Sequence, residues 1–260
     1  MARTLDDIST QRSNNGLRIV IYGPNKVGKS TFGAGAPAPV FLQTEDGLSG
    51  LQGVPAFPVA TDLAEHVYSA IGVLANESHQ YKTLVIDSLD WMEPLVWAKV
   101  CNDNGWKSIE QPGYGKGYVE AAREWRHFLD GCDALIRSGM NVVLICHDQI
   151  KRVDLPTADG YDSHVLKLHN KAAGLVQEWA DVVGFCTHRV TTRKSDAGFG
   201  NTKTKAVGTG ERILRLEANP AHCAGNRFGL QDTALSWADF SAALTAATTT
   251  TTTQVTSNEN

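Results

Sequence analysis

An apolar segment that runs directly into a loop of glycines, a lysine and a serine is the feature that most limits how this chain can fold. Residues 17–22, Leu-Arg-Ile-Val-Ile-Tyr, are rich in β-branched side chains and favour a buried strand. Residues 23–30 read Gly-Pro-Asn-Lys-Val-Gly-Lys-Ser and fit the pattern GxxxxGK(S/T) in full. A short helix is predicted from Gly28 to Gly35. A strand, this loop and a helix in succession predict an α/β fold with a phosphate-binding loop.

Each residue type in this loop has a chemical role at a polyphosphate. Gly23 and Gly28 allow the backbone to wrap around a phosphate with its N–H groups directed inward. The start of the helix adds the positive end of its dipole. Lys29 balances phosphate charge, and the hydroxyl of Ser30 can bind Mg²⁺. We therefore predict a site for ATP and Mg²⁺ whose nucleotide-binding residues are Gly23, Pro24, Asn25, Lys26, Val27, Gly28, Lys29, Ser30 and Thr31.

A second apolar strand is predicted at residues 82–87 and ends in the carboxylate of Asp87. The carboxyl ends of parallel strands meet at one edge of a sheet, where ligands bind in open α/β folds. Asp87 is therefore expected to lie beside the loop at 23–30 and to hold Mg²⁺ together with Ser30.

Two further polar residues follow predicted strands and are expected at the same edge. Glu45 follows a strand at 40–43 and is the candidate base that orients water against the γ-phosphate, with Asp46 as the alternative. Glu45 could instead cap a loop. His147 ends a strand at 141–146, and it either contacts the γ-phosphate or is a structural histidine.

The composition is that of an ordinary globular domain, with 42% hydrophobic and 20% charged residues among 260. No apolar run approaches the roughly 20 residues of a membrane helix, and five scattered cysteines predict neither a zinc site nor disulfides. We expect a polar leader at 1–16 without a secretory stretch, a core at 17–244 and a disordered threonine-rich tail at 245–260. A cytoplasmic protein without membrane contact is predicted.

Any nucleic-acid site must be a local patch, because the net charge is −4. Between residues 188 and 215 there are seven basic and two acidic residues, and strand periodicity places Lys203 and Lys205 on one face. A loop predicted at 103–118 has aromatic and basic residues that could stack and bind unpaired bases, namely Trp106, Lys107, Tyr114 and Lys116. The same sequence pattern would also arise from a solvated hairpin and a loop anchored by buried aromatic side chains, without any nucleic-acid site.

The order of these parts resembles RecA-type recombinases: a GPxxxGKS loop, a glutamate after the next strand, an apolar strand ending in Asp-Ser, and a polar residue ending a later strand. Within that family the chain is similar to small phage ATPases of the Sak type, which act in single-strand annealing. The similar stretches are IYGPNKVGKSTF, QTEDGL, VIDSLDWMEPLVW, EWADVVGF and NRFGL. The resemblance covers about residues 17–239.

The resemblance implies a RecA-like α/β fold, with a mostly parallel twisted sheet flanked by helices on both faces and an antiparallel edge extension. It implies ATP hydrolysis, self-association into a ring or filament, and single-stranded DNA bound by loops at 103–118 and 149–169, with Lys151 and Arg152 as candidates in the second. A single-stranded-DNA-binding protein is a further candidate partner. The cytoplasm would be that of the phage host.

Two positions depart from the family pattern. RecA has a glutamine where this chain has His147, and Gly225 replaces the lysine of the motif KNRFG. The resemblance implies that Arg227, in that motif, reaches the γ-phosphate of a neighbouring subunit, and a solvated surface arginine is the alternative.

Three other functions are compatible with the same motifs. One is a helicase or a helicase loader, which would act by translocation. The second is an interaction module that binds ATP without useful hydrolysis. The third, a small-molecule kinase, is disfavoured because the sequence has no obvious lid over an acceptor.

Overall fold

In the computed structural model, the described residues are 15–155, 158–196 and 202–256, and the described side chains exclude those of residues 155, 158, 191–196, 202–208 and 250–256. The strands are β1 (Arg18–Gly23), β2 (Pro39–Gln43), β3 (Thr83–Asp87), β4 (Asn141–Leu155), β5 (Ala158–Leu166), β6 (Val182–Asp196), β7 (Thr202–Arg215), β8 (Gly225–Asn226) and β9 (Thr233–Ala234). The helices are α1 (Lys29–Ala34), α2 (Ser69–Asn76), α3 (Leu89–Asn104), α4 (Lys116–Arg137), α5 (Asn170–Trp179) and α6 (Trp237–Thr256). A 3₁₀ turn covers Leu48–Gly50, and a π-helical segment, Leu63–Tyr68, leads into α2.

The central sheet has the strand order β2-β3-β4-β1-β6-β7-β9. The first five of these strands are parallel, whereas β7 is antiparallel to β6 and β9 is antiparallel to β7. The predicted α/β class, with a mostly parallel sheet and an antiparallel edge extension, is confirmed. Because β1 lies in the middle, the loop that follows it opens at the centre of the carboxyl edge.

Helices cover both faces of the sheet because side chains alternate along each buried strand. Val20 and Tyr22 of β1 face a cluster formed with α2, α3, α4 and α5. Ile19 and Ile21 face the opposite cluster, which includes Phe32 of α1 and residues of α6. All four of these β1 side chains are fully buried.

The loop expected at 149–169 is wrong as secondary structure, since most of these residues belong to a β-hairpin. Strand β4 continues past the sheet edge to Leu155 and pairs antiparallel with β5. Pairing between backbone groups holds these strands together, and charged side chains face each other across the pair, as with Arg152 and Asp162. An exposed hairpin needs little apolar sequence, so the charged residues and the glycine of this segment are compatible with two strands.

The predicted disorder from residue 245 also differs from the structure, in which α6 extends to Thr256. The hydroxyls of Thr245 and Thr249 each donate to a carbonyl one helical turn earlier. Leu244 and Ala247 pack against the cluster on the α1 face. The leader at 1–14 lies outside the described residues.

No helix among the described residues has the length and apolar character needed to span a bilayer.

Candidate nucleotide-binding site

The loop at residues 23–30 leaves the carboxyl end of β1 and enters α1 at Lys29. Gly23 and Gly28 have φ angles of 155° and 110°, in the region that side chains rarely adopt. A Cβ atom on Gly23 would lie 2.2 Å from the carbonyl oxygen of Cys186. Glycine is therefore required at Gly23 by contact with β6 as well as by backbone conformation.

Lys29 is a buried cation directed back into this loop. Its side chain is only 5% exposed, and Nζ donates to the carbonyl oxygens of Gly23 at 2.9 Å and Pro24 at 3.0 Å. Burial lowers the pKa of this ammonium. An ammonium has three donors, so one remains for a phosphate oxygen. A buried cation next to a glycine loop is suited to a polyphosphate anion.

Ser30 and Asp87 meet at the floor of the cleft. The Ser30 hydroxyl donates to Oδ2 of Asp87 at 2.5 Å, and the carboxylate, at the end of β3, is 6% exposed. Burial raises the pKa of Asp87 above its ordinary value, and the Ser30 hydrogen bond opposes that rise. A divalent cation would offset the cost of burying this charge, and a hydroxyl with a carboxylate is a donor set that Mg²⁺ accepts. These two residues fit the predicted metal site.

Glu45 lies beside this pair at the end of β2. Its Oε1 accepts a hydrogen bond of 3.0 Å from Ser88 Oγ, and Ser88 directly follows Asp87. The neighbouring Thr44 hydroxyl bonds both the N–H and the carbonyl of Ser88, at 2.8 and 2.6 Å. These contacts fix the two strand ends together and orient Glu45 toward the cleft, which it lines. The alternative, Asp46, is exposed.

His147 is held by Asp90 of α3. The His147 ring nitrogen Nδ1 is 3.0 Å from the Asp90 carboxylate, and its backbone N–H donates to the same group at 3.1 Å. Burial opposes ionisation of Asp90, but the hydrogen bonds from His147 outweigh it and lower the pKa to about 2. Lys167 Nζ lies 3.5 Å from the same carboxylate. His147 is thus both structurally fixed and at the cleft, compatible with either predicted role.

The cleft that these groups line has a volume of about 590 Å³. Its walls include predicted nucleotide-binding residues: Asn25, Lys26, Gly28, Lys29, Ser30 and Thr31. Glu45, Asp87 and His147 also line it, whereas the predicted residues Gly23, Pro24 and Val27 are not among its lining residues. A slightly larger cleft of about 660 Å³, lined by His164, Phe185 and His222 among others, lies between other strands and lacks the glycine loop.

Three residues that line the nucleotide cleft had no sequence motif to identify them. Trp91 of α3 is 53% exposed, Lys167 follows β5, and Arg212 belongs to β7. Lys167 and Arg212 lie within segments of many charged residues, so composition alone did not distinguish them. The positions of Lys167 and Arg212 depend on pairing between strands that are far apart in the sequence.

Arg227 lies at the opposite edge of the sheet. The adjacent strand β8 pairs with Val182 and Val183, at the amino end of β6, whereas the cleft lies beyond the carboxyl ends. The Arg227 guanidinium is 3.1 Å from Asp181 Oδ1 and donates to the carbonyl of Glu178. Arg227 therefore does not contact the cleft of its own chain.

The loop between α3 and α4 presents most of its candidate DNA-binding side chains to solvent. Lys107, Tyr114 and Lys116 are exposed, with Tyr114 fully so. Trp106 is half-buried and packs against the cluster beneath α3 and α4. Three of the four side chains are thus accessible to a strand of DNA.

On the β4–β5 hairpin, the candidate DNA-binding side chains already contact other groups of the protein. Lys151 Nζ donates to Asn170 Oδ1 at 2.6 Å, and Arg152 lies near Asp154 and Asp162 at 3.6 and 3.9 Å. The backbones of Lys203 and Lys205 in β7 pair with β6, and their side chains lie outside the described residues.

Comparison with known proteins identifies a family and a distantly similar solved structure. No curated protein matches the chain. A solved structure titled as a RadB recombinase aligns with 81% of this chain and 86% of that chain, at 11% identity and a TM-score of 0.42. A likeness this distant supports no inference about function. Residues 15–228 match the model of a family described as an AAA domain, AAA_24. The chain therefore belongs to this AAA domain family.

Proposed function

We propose that this protein is a Mg²⁺-dependent, RecA-like ATPase that binds single-stranded DNA and promotes annealing or strand pairing in phage DNA recombination, in the cytoplasm of the host. The observation that supports hydrolysis is the convergence of Lys29, Ser30, Asp87 and Glu45 on one cleft. Membership of an AAA domain family agrees with nucleotide binding.

Each group in the cleft has a defined task in this proposal. The loop N–H groups and Lys29 hold the phosphates, and Ser30 and Asp87 hold the cation. When bound, Mg²⁺ polarises the γ-phosphate as a Lewis acid. Glu45, positioned by Ser88, orients the attacking water and accepts its proton.

The proposed DNA site is supported by continuity between the cleft and the β4–β5 hairpin. His147 in β4 lines the cleft, and the hairpin residue Lys151 follows in the same strand. Lys167, just after β5, also lines the cleft, and its backbone N–H donates to the carbonyl of His147 at 2.9 Å. A nucleotide that contacts both ends of the hairpin would favour one of its conformations, so that ATP favours the DNA-bound assembly and hydrolysis releases it.

Self-association into a ring or filament is supported by the position of Arg227. Because this arginine lies at the amino edge of the sheet, any nucleotide that it reaches would belong to a neighbouring subunit. A site shared between subunits would make turnover depend on protein concentration. A single-stranded-DNA-binding protein is a further proposed partner.

ATP turnover with and without single-stranded DNA tests the proposal. We expect Mg²⁺-dependent hydrolysis that single-stranded DNA stimulates more than duplex DNA does, with Lys29→Ala as the inactive control. ATP binding without measurable hydrolysis would favour the interaction module instead. Directional unwinding of a duplex by the pure protein would favour a helicase.

A further inference from the structure

Arg212 places a guanidinium against the phosphate loop. A Cβ atom built on Gly28 would lie 3.0 Å from Arg212 Nη1 and 3.7 Å from its Cδ. Both residues line the same cleft. The arginine comes from β7, and its carbonyl accepts a hydrogen bond of 3.0 Å from the N–H of Leu235. Its backbone is thus fixed on both sides by the sheet.

The charge of Arg212 is uncompensated among the described side chains. Its neighbours in β7 and β6 are paired: Arg189 with Glu211 at 2.8 Å, and Arg215 with Asp232 at 2.7 Å. No described carboxylate lies within ion-pair distance of Arg212. A guanidinium beside an anion-binding loop, and without an acidic partner there, is available for an anion.

The strand order fixes which part of a nucleotide this guanidinium faces. Glu45 and Asp87 end β2 and β3, on one side of β1, whereas Arg212 lies in β7, on the other side. Ser30 and Asp87 would hold the Mg²⁺ that accompanies the terminal phosphates, so those phosphates would lie on the side of β2 and β3. The α-phosphate and the nucleoside of the bound nucleotide would then extend toward Arg212.

We propose that Arg212 binds the α-phosphate end of the nucleotide, on the side away from the metal. This inference rests on the proposed ATP site and adds a binding residue to it. A guanidinium forms two parallel hydrogen bonds with phosphate oxygens, which a lysine cannot reproduce. ATP and ADP share their α-phosphate, so Arg212 contributes equally to the affinity for both. It contributes little to the rate of the chemical step.

Arg212→Ala, with Arg212→Lys, tests this proposal through the dissociation constants of MgATP and MgADP. We expect both constants to rise by a similar factor, about 10- to 100-fold for loss of a hydrogen-bonded charge, while kcat at saturating ATP changes little. Arg212→Lys should recover part of the affinity. Arg123→Ala, an exposed arginine of α4, removes the same charge outside the cleft and should leave both constants unchanged. Because Arg212 is exposed, its replacement should not unfold the protein, and thermal unfolding checks this.

Two results would overturn the assignment. Unchanged constants for both nucleotides would remove Arg212 from the site, and a loss confined to ATP would place the guanidinium at the γ-phosphate. The Lys29→Ala variant distinguishes failure of the Arg212 assignment from failure of the proposed ATP site. If Lys29→Ala abolishes binding and Arg212→Ala has no effect, only the present inference fails, whereas wild-type protein that binds no ATP overturns both.

Discussion

The hydroxyl of Ser30 and the carboxylate of Asp87 are 57 residues apart in sequence and 2.5 Å apart in space. This contact joins the first turn of α1 to the end of β3. The carboxylate is buried, and the ionisable groups close enough to influence its pKa include Lys29, Glu45 and His147. Ser30 and Asp87 are thus adjacent, as a shared Mg²⁺ site would require.

Ser30→Ala should weaken Mg²⁺-dependent ATP binding. Loss of residues that support a metal typically lowers metal affinity about 10- to 100-fold, and loss of a ligand should cost at least as much. Titration of Mg²⁺ at fixed ATP measures the effect. Ser30→Thr, which keeps the hydroxyl, is the matched control. Equal Mg²⁺ dependence in the alanine variant and the wild type would exclude Ser30 as a ligand.

Glu45→Gln should reduce turnover while ATP binding persists. The amide keeps the shape and the contact with Ser88 but cannot accept a proton, and general-base catalysis is worth about 10²- to 10⁴-fold. Single-turnover hydrolysis and ATP affinity, measured side by side, separate the two effects. Asp46→Asn, one residue further and exposed, is the control. If Asp46→Asn were the slower variant, the roles of the two acids would be exchanged.

Glu93→Gln should change how stability depends on pH. Glu93 of α3 is 7% exposed and accepts the His169 N–H at 3.0 Å, and burial raises its pKa to about 7. The folded state therefore binds this proton more tightly than the unfolded state, so wild-type stability falls as pH rises from about 4.5 to about 7. The glutamine keeps an acceptor for His169 and carries no charge.

Thermal unfolding at pH 5 and pH 8 measures this difference. The stability of Glu93→Gln relative to the wild type should rise between the two pH values. Glu178→Gln, at an exposed position, controls for the loss of one charge. A relative stability that stays constant from pH 5 to pH 8 would show that Glu93 does not titrate in this way.

Charge reversal at Lys203 and Lys205 should weaken binding of single-stranded DNA and flatten its dependence on salt, because fewer counterions are released. Filter binding at several salt concentrations measures both. The control is Lys82→Glu with Arg137→Glu, which changes the net charge equally at the amino edge of the sheet. Identical salt slopes for the two double variants would remove β7 from the DNA site.

The sequence predicted the sheet and the phosphate loop because both are determined by local pattern. Strands β1 and β3 are short apolar runs buried on both faces, and such runs carry their own signal. The loop at 23–30 needs a glycine at position 23 because a Cβ atom there would clash with the backbone of β6, and the motif includes this glycine. Because β1 and β3 both run parallel to β4, Lys29 and Asp87 lie at the same carboxyl edge of the sheet.

The β4–β5 hairpin, the end of α6 and the role of Arg212 could not be predicted in this way. The hairpin is held by backbone pairing that charged residues tolerate, and α6 continues through threonines that bond their own backbone. Arg212 reaches Gly28 only because β7 pairs with β6, which pairs with β1. Such contacts between distant segments leave no periodicity in the sequence.

ATP affinity of Lys29→Ala, measured by calorimetry beside the wild type, tests the central claim most directly. Among the described residues, Lys29 Nζ is buried and hydrogen-bonded to the loop carbonyls of Gly23 and Pro24, so its loss should leave the fold intact and lower ATP affinity by about a hundredfold or more. Unchanged thermal unfolding would confirm that the variant is folded. A folded Lys29→Ala protein that binds ATP as tightly as the wild type would contradict the assignment of this cleft as the nucleotide site.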